Sequence, residues 1–143
     1  MTEVSPIRLW VMRFMYLVMA VGAGLMVWPL IISHEATTPR MTGVAWTLLG
    51  TLALLSVLGL RYPLRMIPLL LFELTWKLIW LTAFALPRWL DGTLDEAMRT
   101  SMFETSLGLV LLVVIPWRYV FAHYVTRPAD SFLPPRPAGA PTA

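Results

Sequence analysis

Glu73 and Lys77 are the residues of this sequence whose types and spacing could do chemistry. They stand four positions apart, acid first, inside the run Phe72-Glu73-Leu74-Thr75-Trp76-Lys77-Leu78-Ile79-Trp80. On a helix that spacing puts both charges on one face in the favourable order. If the helix enters the bilayer near Pro68, Lys77 lies about 14 Å along it, close to the middle of the hydrocarbon core. Trp76, Trp80 and Phe84 fall on a neighbouring stripe. Ionisable groups at that depth are costly, so they normally face the protein interior and have partners. Two readings follow. In one, the charges neutralise each other and lock helix packing. In the other, Glu73, Lys77, Trp76 and Trp80 line a polar pocket for a headgroup, a quinone-like ring or a proton.

The remaining candidates are weaker. His34 and Glu35 could offer two metal ligands, but they are adjacent and have no third ligand nearby in sequence, so a solvated loop is expected. His34 and His123 are placed on opposite sides of the membrane, so one chain cannot use both as axial ligands of one haem. Asp91, Asp95, Glu96 and Glu104 form an acidic outer surface. Asp95 and Glu96 suit the first turn of a helix, where the dipole favours negative charge. The absence of cysteine removes disulfides, thiolate nucleophiles and iron–sulfur ligation. No phosphate-binding glycine loop, HExxH or GxSxG pattern is present. No metal and no cofactor are expected, and no enzyme.

The elements that must position Glu73 and Lys77 are legible from composition. Of 143 residues, 58% are hydrophobic and 13% charged, against roughly 45–50% and about 25% in soluble domains. A soluble domain this small could not bury so much apolar surface. The excess lies in four stretches long enough to cross a bilayer, at about residues 9–32, 41–60, 66–87 and 102–124. The expected fold is therefore all-α: a four-helix transmembrane bundle over residues 1–125, followed by a Pro-rich tail over residues 126–143. That tail holds five prolines in 18 residues, and reads as extended or disordered. The first span is too long for a signal-peptide core and is read as uncleaved.

Punctuation sharpens the boundaries. Ser5-Pro6 and Thr38-Pro39 look like helix caps followed by Pro in the first turn. Pro63 can start the third helix, with Pro68 as a kink or as the start of the membrane crossing. Thr93-Leu94-Asp95-Glu96 fits a capping box, so the fourth helix should run from about Leu94 to Val125, kinked at Pro116. Pro29 should kink the first helix. Small residues, among them Gly24 in the first span and Gly43, Gly50, Ala53 and Ser56 in the second, suggest that these two spans pack together.

Arginine placement gives orientation. Arg8, Arg13, Arg61, Arg65, Arg118, Arg127 and Arg136 fall on one side, against Arg40, Arg88 and Arg99 on the other. Seven against three favours cytoplasmic termini. Arg13, Arg61, Arg65 and Arg118 are expected to reach lipid headgroups from the helix ends. The net charge of +3 is thus read as topology, not as nucleic-acid binding. Trp10, Trp28, Trp46, Trp89, Trp117, Tyr119 and Tyr124 fit an interfacial aromatic belt.

The stretch from Leu60 through Arg61-Tyr62-Pro63-Leu64-Arg65 to Phe72-Glu73-Leu74-Thr75-Trp76-Lys77 resembles a group of small four-helix proteins of the bacterial inner membrane. Ile115-Pro116-Trp117-Arg118-Tyr119 and His123-Tyr124-Val125 resemble the same group. This resemblance implies an architecture and a bacterial-type inner membrane, and it brings no activity or catalytic residues. The helix count is also similar to that of DoxX-like proteins and small multidrug exporters, and shared architecture implies no shared function. The expectation is a non-enzymatic assembly or interaction protein whose partners are membrane lipids and a second copy or another membrane protein. The alternative is a small carrier or lipophilic-ligand binder using Glu73, Lys77, Trp76 and Trp80.

Overall fold

A computed structural model describes residues 4–128; the expected tail lies outside the described residues from position 129 onward. Four helices are long and apolar enough to cross a membrane: α1 (Pro6–Ile32), α2 (Arg40–Arg61), α3 (Ile67–Leu90) and α4 (Glu96–Val114). A short α5 (Trp117–Val120) follows, ending in a widened turn over Phe121–Val125. No strand occurs among the described residues. At most 28% of any of the four apolar windows is buried within the chain, so most of that apolar surface faces outward.

The caps follow the sequence in part. Ser5 accepts from Arg8 N–H at 3.3 Å, with Pro6 opening α1. Thr38 makes no cap bond to α2, whose boundary residue is Pro39. Of the two prolines before α3, Pro68 is the one in its first turn, while Pro63 sits in the preceding loop. The capping box at Thr93 is not formed. Asp95 itself caps α4 by accepting from Met98 N–H at 2.7 Å, and Thr93 bonds back to Arg88. Pro29 does lie inside α1, and a widened turn at Met19–Ala23 precedes it. Another widened turn at Leu81–Ala85 stands just before Pro87. Pro87 offers no N–H and its ring crowds the carbonyl four residues back, a conflict that a wider turn relieves.

The fourth helix departs most from expectation. It stops at Val114 and does not continue to Val125. Ile115 is extended (φ −63°, ψ 125°), as a residue before proline prefers to be. Ending a helix leaves its last carbonyls without intrahelical donors. Here each one finds a donor. Leu111 O accepts from Ile115 N–H at 2.9 Å, and Leu112 O accepts from Trp117 Nε1 at 2.7 Å. The Arg8 guanidinium donates to Val113 O at 3.0 Å, Val114 O at 3.4 Å and Ile115 O at 3.1 Å.

Helix α1 closes the neighbouring helix end in the same way. Arg13 Nε donates to Leu60 O at 3.1 Å, and Tyr16 Oη donates to Pro63 O at 3.0 Å. The chain is thus two hairpins, α1–α2 and α3–α4, whose main mutual contacts are at this end: α2 with the first part of α3, and the start of α1 with the end of α4. The core sits there as well, with Met12, Tyr16, Ile67, Leu70, Leu111 and Ile115 enclosed. The α1–α2 packing expected from small residues is present at Gly24, Gly50, Ala53 and Ser56. A Cβ on Gly24 would touch Ala53, and one on Gly50 would meet Ile31 at 2.9 Å. Gly43 faces open space and takes no part.

Candidate functional site

Glu73 lies on the buried side of α3, on the same face as Leu70 and Leu74. Helical spacing carries its two partners to it. Lys77, one turn on, brings Nζ to 3.1 Å from Glu73 Oε1. Trp76, three positions on, donates from Nε1 to Glu73 Oε2 at 2.7 Å. The ammonium also sits 4.9 Å from the centre of the Trp76 ring, within cation–π range. Both carboxylate oxygens are therefore engaged, and the cation is shared between an anion and an aromatic face.

The fourth member comes from α4. Gly108 opens a tighter, 3-10 turn, Gly108–Val110, that packs on α3. A Cβ at Gly108 would lie 2.3 Å from Lys77 Cδ and 2.6 Å from Cε. The lysine stem thus occupies the notch left by the missing side chain, and the pair is pressed between two helices. Among the described residues no buried side-chain nitrogen or oxygen lacks a hydrogen-bond partner.

Of the four residues expected to share a site, Glu73, Trp76 and Lys77 come together. Trp80 is half-buried beyond them without a polar contact to the pair, and Phe84 is exposed. Gly108 was not among the expected residues. A glycine within an apolar span is the signal that could have pointed to it, because such a residue marks a close approach. Arg8 and Tyr16 were likewise missed as closing donors. Their carbonyl partners lie 105–107 and 47 positions away in sequence.

The basic residues divide. Arg13, expected at lipid phosphates, is half-buried and donates to Leu60 O while lying 5.4 Å from the Trp10 ring. Arg61 and Arg65 both lie over the Tyr62 ring, at 5.5 and 5.8 Å. Arg118 is exposed on α5. His123 stacks on Tyr119 with ring centres 3.8 Å apart. At the opposite end, His34 Nδ1 meets Ile31 O at 2.7 Å, beside a shallow cleft of about 490 Å³ between α1 and α2 lined by Glu35, Arg40 and Trp46. No group of three metal-ligating side chains occurs among the described residues.

This fold and site define a class: a helical protein with four potential membrane spans and, among the described residues, one ion pair, carried on the third helix where it faces the fourth. Comparison with protein-family models, curated proteins and solved structures gives no match.

Proposed function

We propose that the chain is a multi-pass protein of a bacterial-type inner membrane, with both termini in the cytoplasm, that acts by assembly rather than catalysis. The observation that carries this reading is the closed state of the Glu73–Trp76–Lys77 unit. Its polar atoms are engaged with one another and its stem fills the Gly108 notch, so it serves as a lock between α3 and α4. What the protein offers to others is the outward apolar surface of its spans, joined as two hairpins at one end. Membrane helices associate by close packing of such surfaces. In mild detergent, the purified protein is expected to run as an assembly larger than one 16.2 kDa chain, with itself or a membrane partner. A detergent-corrected mass of a single chain, both in extracts and after purification, would overturn the assembly reading.

The second reading is a small carrier or lipophilic-ligand binder at Glu73, Lys77, Trp76 and Trp80. It draws on the cation held against an indole ring, an arrangement that also suits aromatic or cationic ligands. The orientation rests on the seven-to-three arginine bias. Reporters fused at the C-terminus are expected to be active when they require the cytoplasm and silent when they require the periplasm. The reverse pattern would place the termini outside.

A further inference from the structure

At the closed end of the bundle, four arginines differ in what they touch. Arg8 and Arg13 are committed to backbone carbonyls of helix ends. Arg61 and Arg65 are exposed and share one aromatic ring, that of Tyr62. Neither forms an ion pair among the described residues, where Glu73–Lys77 is the pair found. Two guanidinium groups over one ring repel each other, and the ring face offsets part of that repulsion.

The backbone that carries both side chains is held at several points. Tyr62 N–H donates to Leu58 O at 2.9 Å, and Met66 N–H donates to Tyr62 O at 3.1 Å. Pro63 is buried, and its carbonyl is held by Tyr16 Oη at 3.0 Å. Arg61 is the last residue of α2, and α3 begins at Ile67. If these helices cross a bilayer, the pair stands at its edge, where lipid phosphates lie. A guanidinium fork matches phosphate oxygens in two parallel hydrogen bonds. One phosphate monoanion between the two forks would cancel their repulsion.

We infer that Arg61, Tyr62 and Arg65 form a preorganised clamp for the phosphodiester headgroup of an anionic lipid. A zwitterionic headgroup brings its own ammonium towards two cations and is disfavoured. The inference rests on the membrane reading but not on the orientation of the termini.

The test is a lipid titration of the full-length protein in neutral detergent, read by native mass spectrometry. Phosphatidylglycerol is compared with phosphatidylcholine. The wild type is expected to bind the first phosphatidylglycerol in preference to phosphatidylcholine. Arg61→Gln with Arg65→Gln should weaken that binding about 20- to 30-fold, at about fivefold for each interfacial cation, and leave phosphatidylcholine binding unchanged. Arg8→Gln, which also removes a charge at this end, should keep the preference. Tyr62→Leu keeps both charges and removes the platform, so a several-fold loss is expected there even if the double variant does not fold. A double variant, or a Tyr62→Leu protein, with wild-type selectivity would overturn the clamp. Displacement of the lipid by an equal concentration of inorganic phosphate would overturn a lipid site specifically. A wild type that binds neither lipid would overturn the clamp, while the membrane reading, which rests on the four apolar helices, would stand.

Discussion

Gly59→Ala is expected to destabilise the protein by about 1–3 kcal/mol or more, the range for forcing a methyl into a packed core. The sign is a contest. In a helix, alanine is preferred to glycine by up to about 1 kcal/mol. Against this, a Cβ at position 59 would lie 2.3 Å from Cγ and Cδ1 of Tyr16. That ring has nowhere to go. Tyr16 is fully buried, and its hydroxyl is tied to Pro63 O at 3.0 Å. Shifting the ring would sacrifice a buried hydrogen bond, a further 1 kcal/mol or so. It would also loosen the loop that joins the two hairpins. The clash wins because the obstacle is the rigid root of an aromatic ring, not the tip of a flexible chain. Gly43→Ala is the matched control, since nothing lies within 4 Å of its Cβ position, and it should be neutral or slightly stabilising. Unfolding midpoints in one detergent would rank the three proteins. Gly59→Ala melting with wild type would show that the helices separate there. Tyr16→Leu should suppress much of the Gly59→Ala effect, because neighbours in contact do not add.

The four spans and their order were legible in the sequence because they depend on local quantities: run length, charge-free stretches and proline. Ser5-Pro6 signalled a helix start correctly, since a cap and its helix are neighbours; Pro63 did not start the third helix, which begins at Ile67 with Pro68 in its first turn. The Glu73–Lys77 pair was legible for the same reason, its geometry being set by one helical turn. Contacts made across the fold were not. Arg8 reads as one more orienting charge until Pro116 ends α4 and leaves three carbonyls within its reach. Trp117 reads as belt aromatic until its indole N–H is found on Leu112 O. Pro116 itself was read as a kink because a local pattern cannot say whether stranded carbonyls will be met. Here they are met by donors from α1 and α5, so the helix can stop. Gly108 carries no local signal of what fills its notch. The lysine that does so arrives from a different helix, 31 positions earlier in sequence.

Lys77→Met should be the most damaging change at the ion pair, at about 3–5 kcal/mol, the usual range for breaking a buried pair by removing one partner. It leaves the Glu73 carboxylate beneath the surface with only the Trp76 N–H at 2.7 Å to hold it. Glu73→Gln should cost less. The amide keeps an oxygen for the Trp76 N–H, and Lys77 keeps the Trp76 ring at 4.9 Å. The two changes together should recover most of the loss, because replacing a buried pair by uncharged groups of similar size is often neutral. Methionine preserves an unbranched stem for the Gly108 notch, so the α3–α4 contact survives the loss of charge. Melting of the two singles and the double in one detergent gives the coupling directly. A double variant no more stable than Lys77→Met would mean that the charges do not act as a neutralising pair. The same protein also separates the two functional readings, provided its cellular phenotype is scored beside its melting point. A lock needs only the packing, so a stable double variant should work in the cell. A carrier or ligand site needs the charges. If the double variant folds as well as wild type but has lost its cellular role, Glu73 and Lys77 are a binding site and the assembly reading gives way to the second.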